Sequence, residues 1–120
     1  MNWLAVFIGG GLGSLCRYGI SVWSKSWDMT LPMGTLVSNL LASMVLAILV
    51  VTLQKSSGAS QLLYLMLAVG FCGGFSTFST FSLETFELFR QNMIGWALLN
   101  IFISVTICIG VIWILVKIMD

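Results

Sequence analysis

Four long apolar runs separated by short polar stretches organise the chain, at residues 2–23, 33–53, 62–90 and 94–117. Each meets the requirement of roughly 20 residues for a helix to cross the hydrocarbon core of a bilayer. The pattern predicts four membrane-spanning helices joined at 24–32, 54–61 and 91–93, where Ser, Lys, Asp, Pro, Gln and Asn collect. The third run is exceptional: it is longer than a straight span requires, and from Gly70 to Ser82 it reads GFCGGFSTFSTFS. A double glycine, then Phe75, Phe78 and Phe81 with hydroxyls between them, is poor material for a lipid-facing helix. The reading is an interruption at Gly73 and Gly74, because broken helices at membrane depth occur where they are buried in protein or line a water-filled path.

Polar residues inside the other runs keep helical spacing. Thr35, Asn39 and Ser43 form one trio in the second run, and Asn100, Ser104 and Cys108 form another in the fourth. A spacing of four puts each trio on one stripe of its helix. Buried Asn and Ser in membranes commonly bond between helices, so each stripe alone serves equally well as helix glue or as the wall of a polar path. Gly9 and Gly13 make a GxxxG pair, flanked by Gly10 and Gly11, that lets backbones approach closely. Glu84 shares a stripe with Thr80, and Glu87 reads as an interfacial residue with Arg90 one turn on.

Composition and charge narrow the class. Of 120 residues 59% are hydrophobic and 8% charged, with a mean hydropathy of +1.08, which excludes an ordinary soluble domain. The expected fold is one all-α integral membrane domain over 1–120, with four transmembrane helices and a break in the third. The first run begins without Lys or Arg and carries Arg17 near its far end, unlike a cleaved signal peptide, so it is read as a retained helix. Cys16, Cys72 and Cys108 fall in three different runs and are read as small buried hydrophobes. With four spans, Lys55 and Lys117 lie on one side and Lys25 and Arg90 on the other, so the positive-inside bias is nearly absent. Either the bias is merely weak, or the chain inserts both ways and pairs as an antiparallel homodimer. Four short helices cannot enclose a path alone, which makes oligomerisation the expectation. The chain has no histidine, no phosphate-binding loop, no metal-ligand cluster and no nucleophile beside a base, so no enzymatic function is expected. Nothing in it suggests a nucleic-acid partner.

The polar groups along such a path are mostly donors: amide N–H of Asn, O–H of Ser and Thr, and the positive edges of phenyl rings. That lining can replace the hydration shell of a small anion without a fixed countercharge to trap it, while Arg17 could concentrate anions at an entrance. Glu84 opposes this picture unless it is protonated, turned aside into hydrogen bonds, or placed in a watery vestibule.

Taken together, GGGLGSLCRY around Arg17, GTLVSNL with Asn39 and Leu40, and GFCGGFSTFSTFS occur in the order found in the Fluc (CrcB) fluoride channels, which the chain resembles along essentially its whole length. The resemblance implies an antiparallel dual-topology homodimer in the cell (inner) membrane, with two fluoride pores each lined by both subunits. It implies that Phe78 and Phe81 present ring edges to the ion, that Asn39 is the pore asparagine, and that Ser79, Thr80, Glu84 and Ser104 form a polar track, with Arg17 near a vestibule. It further implies a structural, untransported sodium ion held by the backbone carbonyls of Gly73 and Ser76 from both subunits. Passive fluoride export is the expected activity. Ser14, Ala42 and Cys108 depart from the commonest family pattern; the first two are small-for-small changes, and Cys108 replaces a hydroxyl or other donor at the outer end of the track. Two rivals use a similar frame: a small dual-topology multidrug/proton exchanger, which would carry a carboxylate deep in the first helix where this chain has only Arg17, and a non-transporting scaffold subunit, which leaves the Phe-Ser-Thr repeat unexplained.

Overall fold

The computed structural model describes residues 1–55 and 61–120, apart from the side chain of Lys55. The chain forms α1 (Asn2–Ser24), α2 (Met33–Lys55), α3 (Gln61–Tyr64), a π-helical stretch (Leu65–Phe71), α4 (Cys72–Phe75), α5 (Phe78–Arg90) and α6 (Ile94–Met119). Four segments are long and apolar enough to cross a membrane: Asn2–Ser24, Met33–Gln54, Gln61–Arg90 and Ile94–Met119. These agree with the four predicted spans to within two residues at every end. The connection expected at 54–61 lies for the most part outside the described residues. The connection at 91–93 closes as a Schellman turn: Asn92 takes a left-handed φ of 59°, its N–H donates to the Phe89 carbonyl and the Met93 N–H donates to the Leu88 carbonyl. That tight reversal lays α6 back against α5.

Packing divides the helices into two seams: α1 lies along the π-helical stretch and α4, and α2 lies along α6, with α4 and α5 also touching α2. The first seam is made by backbone. Gly9 and Gly13 of α1 face the main chain of Met66, Phe71 and Phe75, while Gly70 and Gly74 face the main chain of Val6, Gly9 and Gly10. Two GxxxG pairs, 9/13 and 70/74, thus meet face to face, the arrangement that lets helices associate in lipid without a hydrophobic driving force. A Cβ at position 13 would collide with the Phe71 carbonyl and the Phe75 N–H, neither of which is a flexible side chain. Gly13→Val is therefore expected to destabilise the protein by more than the usual overpacking cost of about 1–3 kcal/mol and to remove the monodisperse peak on size exclusion. Gly11, with nothing near its missing Cβ, should accept alanine with no change of elution.

The outer surface of the spans is largely apolar. Trp3, Phe7, Leu15, Phe102, Ile109, Trp113 and Ile118 are exposed, as a bilayer solvent permits and water does not. The core instead carries small residues, with Ala5, Ala42, Ala47, Ala68 and Ala97 buried, together with buried Thr35 and Ser38 on α2, Thr85 on α5, and Asn100 and Ser104 on α6.

Candidate functional site

The third span leaves helical geometry at Ser76 (φ −79°, ψ 159°) and Thr77 (φ −151°, ψ 125°). Gly73 and Gly74, where sequence placed the interruption, lie inside the α4 turn. The reason for this correction is that glycine permits a break without forcing one, and groups elsewhere in the chain hold the two extended residues. Asn39 on α2 reads Thr77 on both sides of its peptide: Nδ2 donates to the Thr77 carbonyl at 3.2 Å, and Oδ1 accepts from the Thr77 N–H at 2.7 Å. Thr77 in turn caps α5, its hydroxyl oxygen accepting from the Thr80 N–H at 3.2 Å.

Arg17 completes the break from the other side. Its Nε donates to the Gly74 carbonyl at 3.0 Å, satisfying an acceptor that no longer has a helical partner and setting a cation at the end of a short helix. The residue expected at an ion entrance therefore also fastens the main chain, and it borders a cavity of about 740 Å³ shared with Thr35, Ser38, Thr80 and Glu84. Arg17→Met is expected to lower the thermal stability of the purified protein by about 1.5–3 kcal/mol, the range for hydrogen bonds to charged groups. An unchanged midpoint would show that the Gly74 carbonyl does not need it.

The break also takes the helical donors from the carbonyls of Gly73, Phe75 and Ser76. The helical donor for Gly73 would be the Thr77 N–H, which Asn39 holds; the donor for Ser76 would be the Thr80 N–H, which the Thr77 hydroxyl holds. Gly73 and Ser76, the pair singled out by resemblance, thus present neutral oxygens of the kind that suit a hard monovalent cation. Among the described residues no group of three or more His, Cys, Asp or Glu could hold a metal.

Phe78 and Phe81 project from the first turn of α5 with ring centroids 5.7 Å apart and planes inclined at 43°. They line a second cavity, about 310 Å³, together with Asn39, Ser43, Ser76 and Ser104. Two further α5 groups are tied down: Ser82 Oγ donates to the Phe78 carbonyl at 2.8 Å and Thr85 Oγ1 to the Phe81 carbonyl at 2.7 Å. Thr85 then accepts from Asn100 Nδ2 at 2.9 Å, and Ser104 donates weakly to Asn100 Oδ1 at 3.5 Å. One proton per hydroxyl fixes the direction of this chain, because the Thr85 hydrogen is already used on Phe81. The α6 stripe is therefore glue at Asn100 and cavity wall at Ser104, while Cys108 borders the same cavity.

Glu84 is turned aside. Its Oε1 accepts from the Thr35 hydroxyl at 2.8 Å, so the α2 stripe meets the broken helix at two levels, Thr35 to Glu84 and Asn39 to Thr77. Ser79 is exposed at the α5 terminus, 3.3 Å from the Thr77 hydroxyl, and Thr80 takes up the other side of Thr77 at 3.2 Å. Glu87 pairs with Arg90 at 2.6 Å near the surface. Sequence reading passed over Thr77, whose role depends on a residue 38 positions away, and Ser38, which lies off the Thr35–Asn39–Ser43 stripe.

Comparison with known proteins converges on one family. The profile described as CrcB-like protein, Camphor Resistance (CrcB), matches residues 4–116. The protein named fluoride-specific ion channel FluC from Escherichia coli is 39% identical over 101 residues, covering 84% of this chain and 80% of its own. Its namesake from Shigella boydii is 38% identical over the same length and the same shares.

Proposed function

The chain belongs to the CrcB-like protein family, and from that premise we propose that it is a fluoride-selective ion channel which lowers cytoplasmic fluoride by passive export. It is a multi-pass membrane protein of the cell membrane. The observation that carries the reading is the cavity that brings the Phe78 and Phe81 rings together with Asn39 and Ser104 beside the Ser76–Thr77 break. Its polar groups are amides, hydroxyls and ring edges, which can stand in for water around a small anion and release it again. Hydrogen fluoride enters cells as a neutral weak acid and dissociates inside, so a passive path for the anion suffices to remove it.

The working unit in this proposal is an antiparallel dual-topology homodimer with two pores. Phe78 is 79% exposed on one subunit, and a pore-lining ring needs a second wall. The nearly even split of Lys55 and Lys117 against Lys25 and Arg90 supports insertion in both orientations. A sodium ion at the dimer centre would take the Gly73 and Ser76 carbonyls of both copies and supply a structural crosslink there. The test is ion efflux from liposomes holding the purified chain, fluoride against chloride, with and without sodium. Rapid fluoride loss with little chloride loss supports the channel; no fluoride loss from a well-folded preparation overturns it.

A further inference from the structure

Ser38 is fully buried, and among the described residues its hydroxyl is one of two buried side-chain polar atoms without a hydrogen-bond partner, the other being Glu84 Oε2. Both residues border the 740 Å³ cavity that holds Arg17, Thr35 and Thr80. A buried hydroxyl without a partner is unfavourable in a dry interior, and in a helix serine can normally satisfy itself on the carbonyl one turn back. Ser38 does not. Its neighbours on α2 are committed to protein: Thr35 to Glu84, and Asn39 to both sides of the Thr77 peptide.

We propose that the Ser38 hydroxyl is an anion-binding donor on the fluoride path, between the Arg17 mouth and the cavity of Asn39, Phe78 and Phe81. The proposal rests on the channel reading and adds to it a residue outside the stripe that motif and spacing pick out. Three staggered positions are open to the serine Oγ, and no protein partner holds it in the present one. A passing fluoride ion offers the acceptor that α2 and α5 do not. The small partial charge of a hydroxyl lets the ion leave again, which a fixed ammonium or guanidinium would not.

The experiment compares fluoride efflux from liposomes carrying wild type, Ser38→Ala and Ser38→Cys, across a range of internal fluoride, alongside thermal midpoints of the same preparations in detergent. Removing a hydroxyl that has no protein partner should leave the midpoint equal or raised. Efflux through Ser38→Ala should fall on the order of tenfold, the weight of one hydrogen bond to a charged group, with Ser38→Cys, a weaker donor, in between. Equal efflux in wild type and Ser38→Ala would overturn the proposal and assign the hydroxyl to a resident water. A Ser38→Ala protein that unfolds would also overturn it, because the hydroxyl would then have a structural partner. If wild type itself releases no fluoride, the channel reading fails and this site with it.

Discussion

Asn39→Leu is expected to abolish fluoride efflux and to destabilise the purified protein markedly. The leucine would fill the space but abandon both backbone groups of Thr77, a donor and an acceptor that Asn39 now pairs at 2.7 and 3.2 Å. Each backbone group left unpaired away from water costs about 1–3 kcal/mol, and nothing else in the span can replace the lost pair, since a broken helix has no neighbouring turn to offer. Asn39→Asp separates the two halves of the clamp. Its carboxylate still accepts from the Thr77 N–H but meets the Thr77 carbonyl with a second acceptor, in a setting where an added negative charge is costly. Efflux should fall in this variant too. Thermal unfolding of both variants in detergent, read beside liposome efflux, checks the argument; a normal midpoint and normal efflux in Asn39→Leu would reduce the asparagine to ordinary helix glue.

Phe78→Ile and Phe81→Ile should each lower fluoride efflux by roughly tenfold while leaving the oligomer intact, the size of effect expected from losing a favourable ring-edge contact with an anion. Isoleucine keeps most of the bulk but has no quadrupole. The separation of function from stability is favourable here because Phe78 is largely exposed on the subunit, and the backbone at both positions is held independently by Ser82 and Thr85. Size exclusion tracks the assembly and efflux tracks the path. Wild-type efflux from either variant would remove the ring-edge role.

Much of this arrangement was legible in the chain itself, and the exceptions share a cause. The spans could be read because apolar length is a local property, and the Phe78–Phe81 pair through the resemblance to the Fluc (CrcB) channels, since a spacing of three serves Phe75 and Phe78 equally well. The position of the break could not. Gly73 and Gly74 advertise backbone freedom, yet the extended residues are Ser76 and Thr77, because Asn39 selects them from 38 positions away and no local signal reports that. Arg17 shows the same limit. A lone arginine in an apolar helix invites an electrostatic reading, and only the fold shows that a carbonyl freed by the break lies within its reach. The π-helical turns at Leu65–Phe71 have no evident signature in the residues; they coincide with the stretch pressed against Gly9 and Gly13.

That glycine seam sets where variation can enter. Along α1 and α4 the contact is main chain on main chain, so substitution has no graded scale there: a residue at Gly9, Gly13, Gly70 or Gly74 is either absent of side chain or incompatible. Any retuning of conduction or ion preference, by selection or in a mutagenesis library, must therefore come through α2, α5, α6 and the other face of α1, where Ser14, Arg17 and Tyr18 join the cavity walls. Four positions of the scaffold are closed to incremental change, and a screen that randomised the whole chain evenly would lose every variant altered at one of them before it sampled that variant's pore.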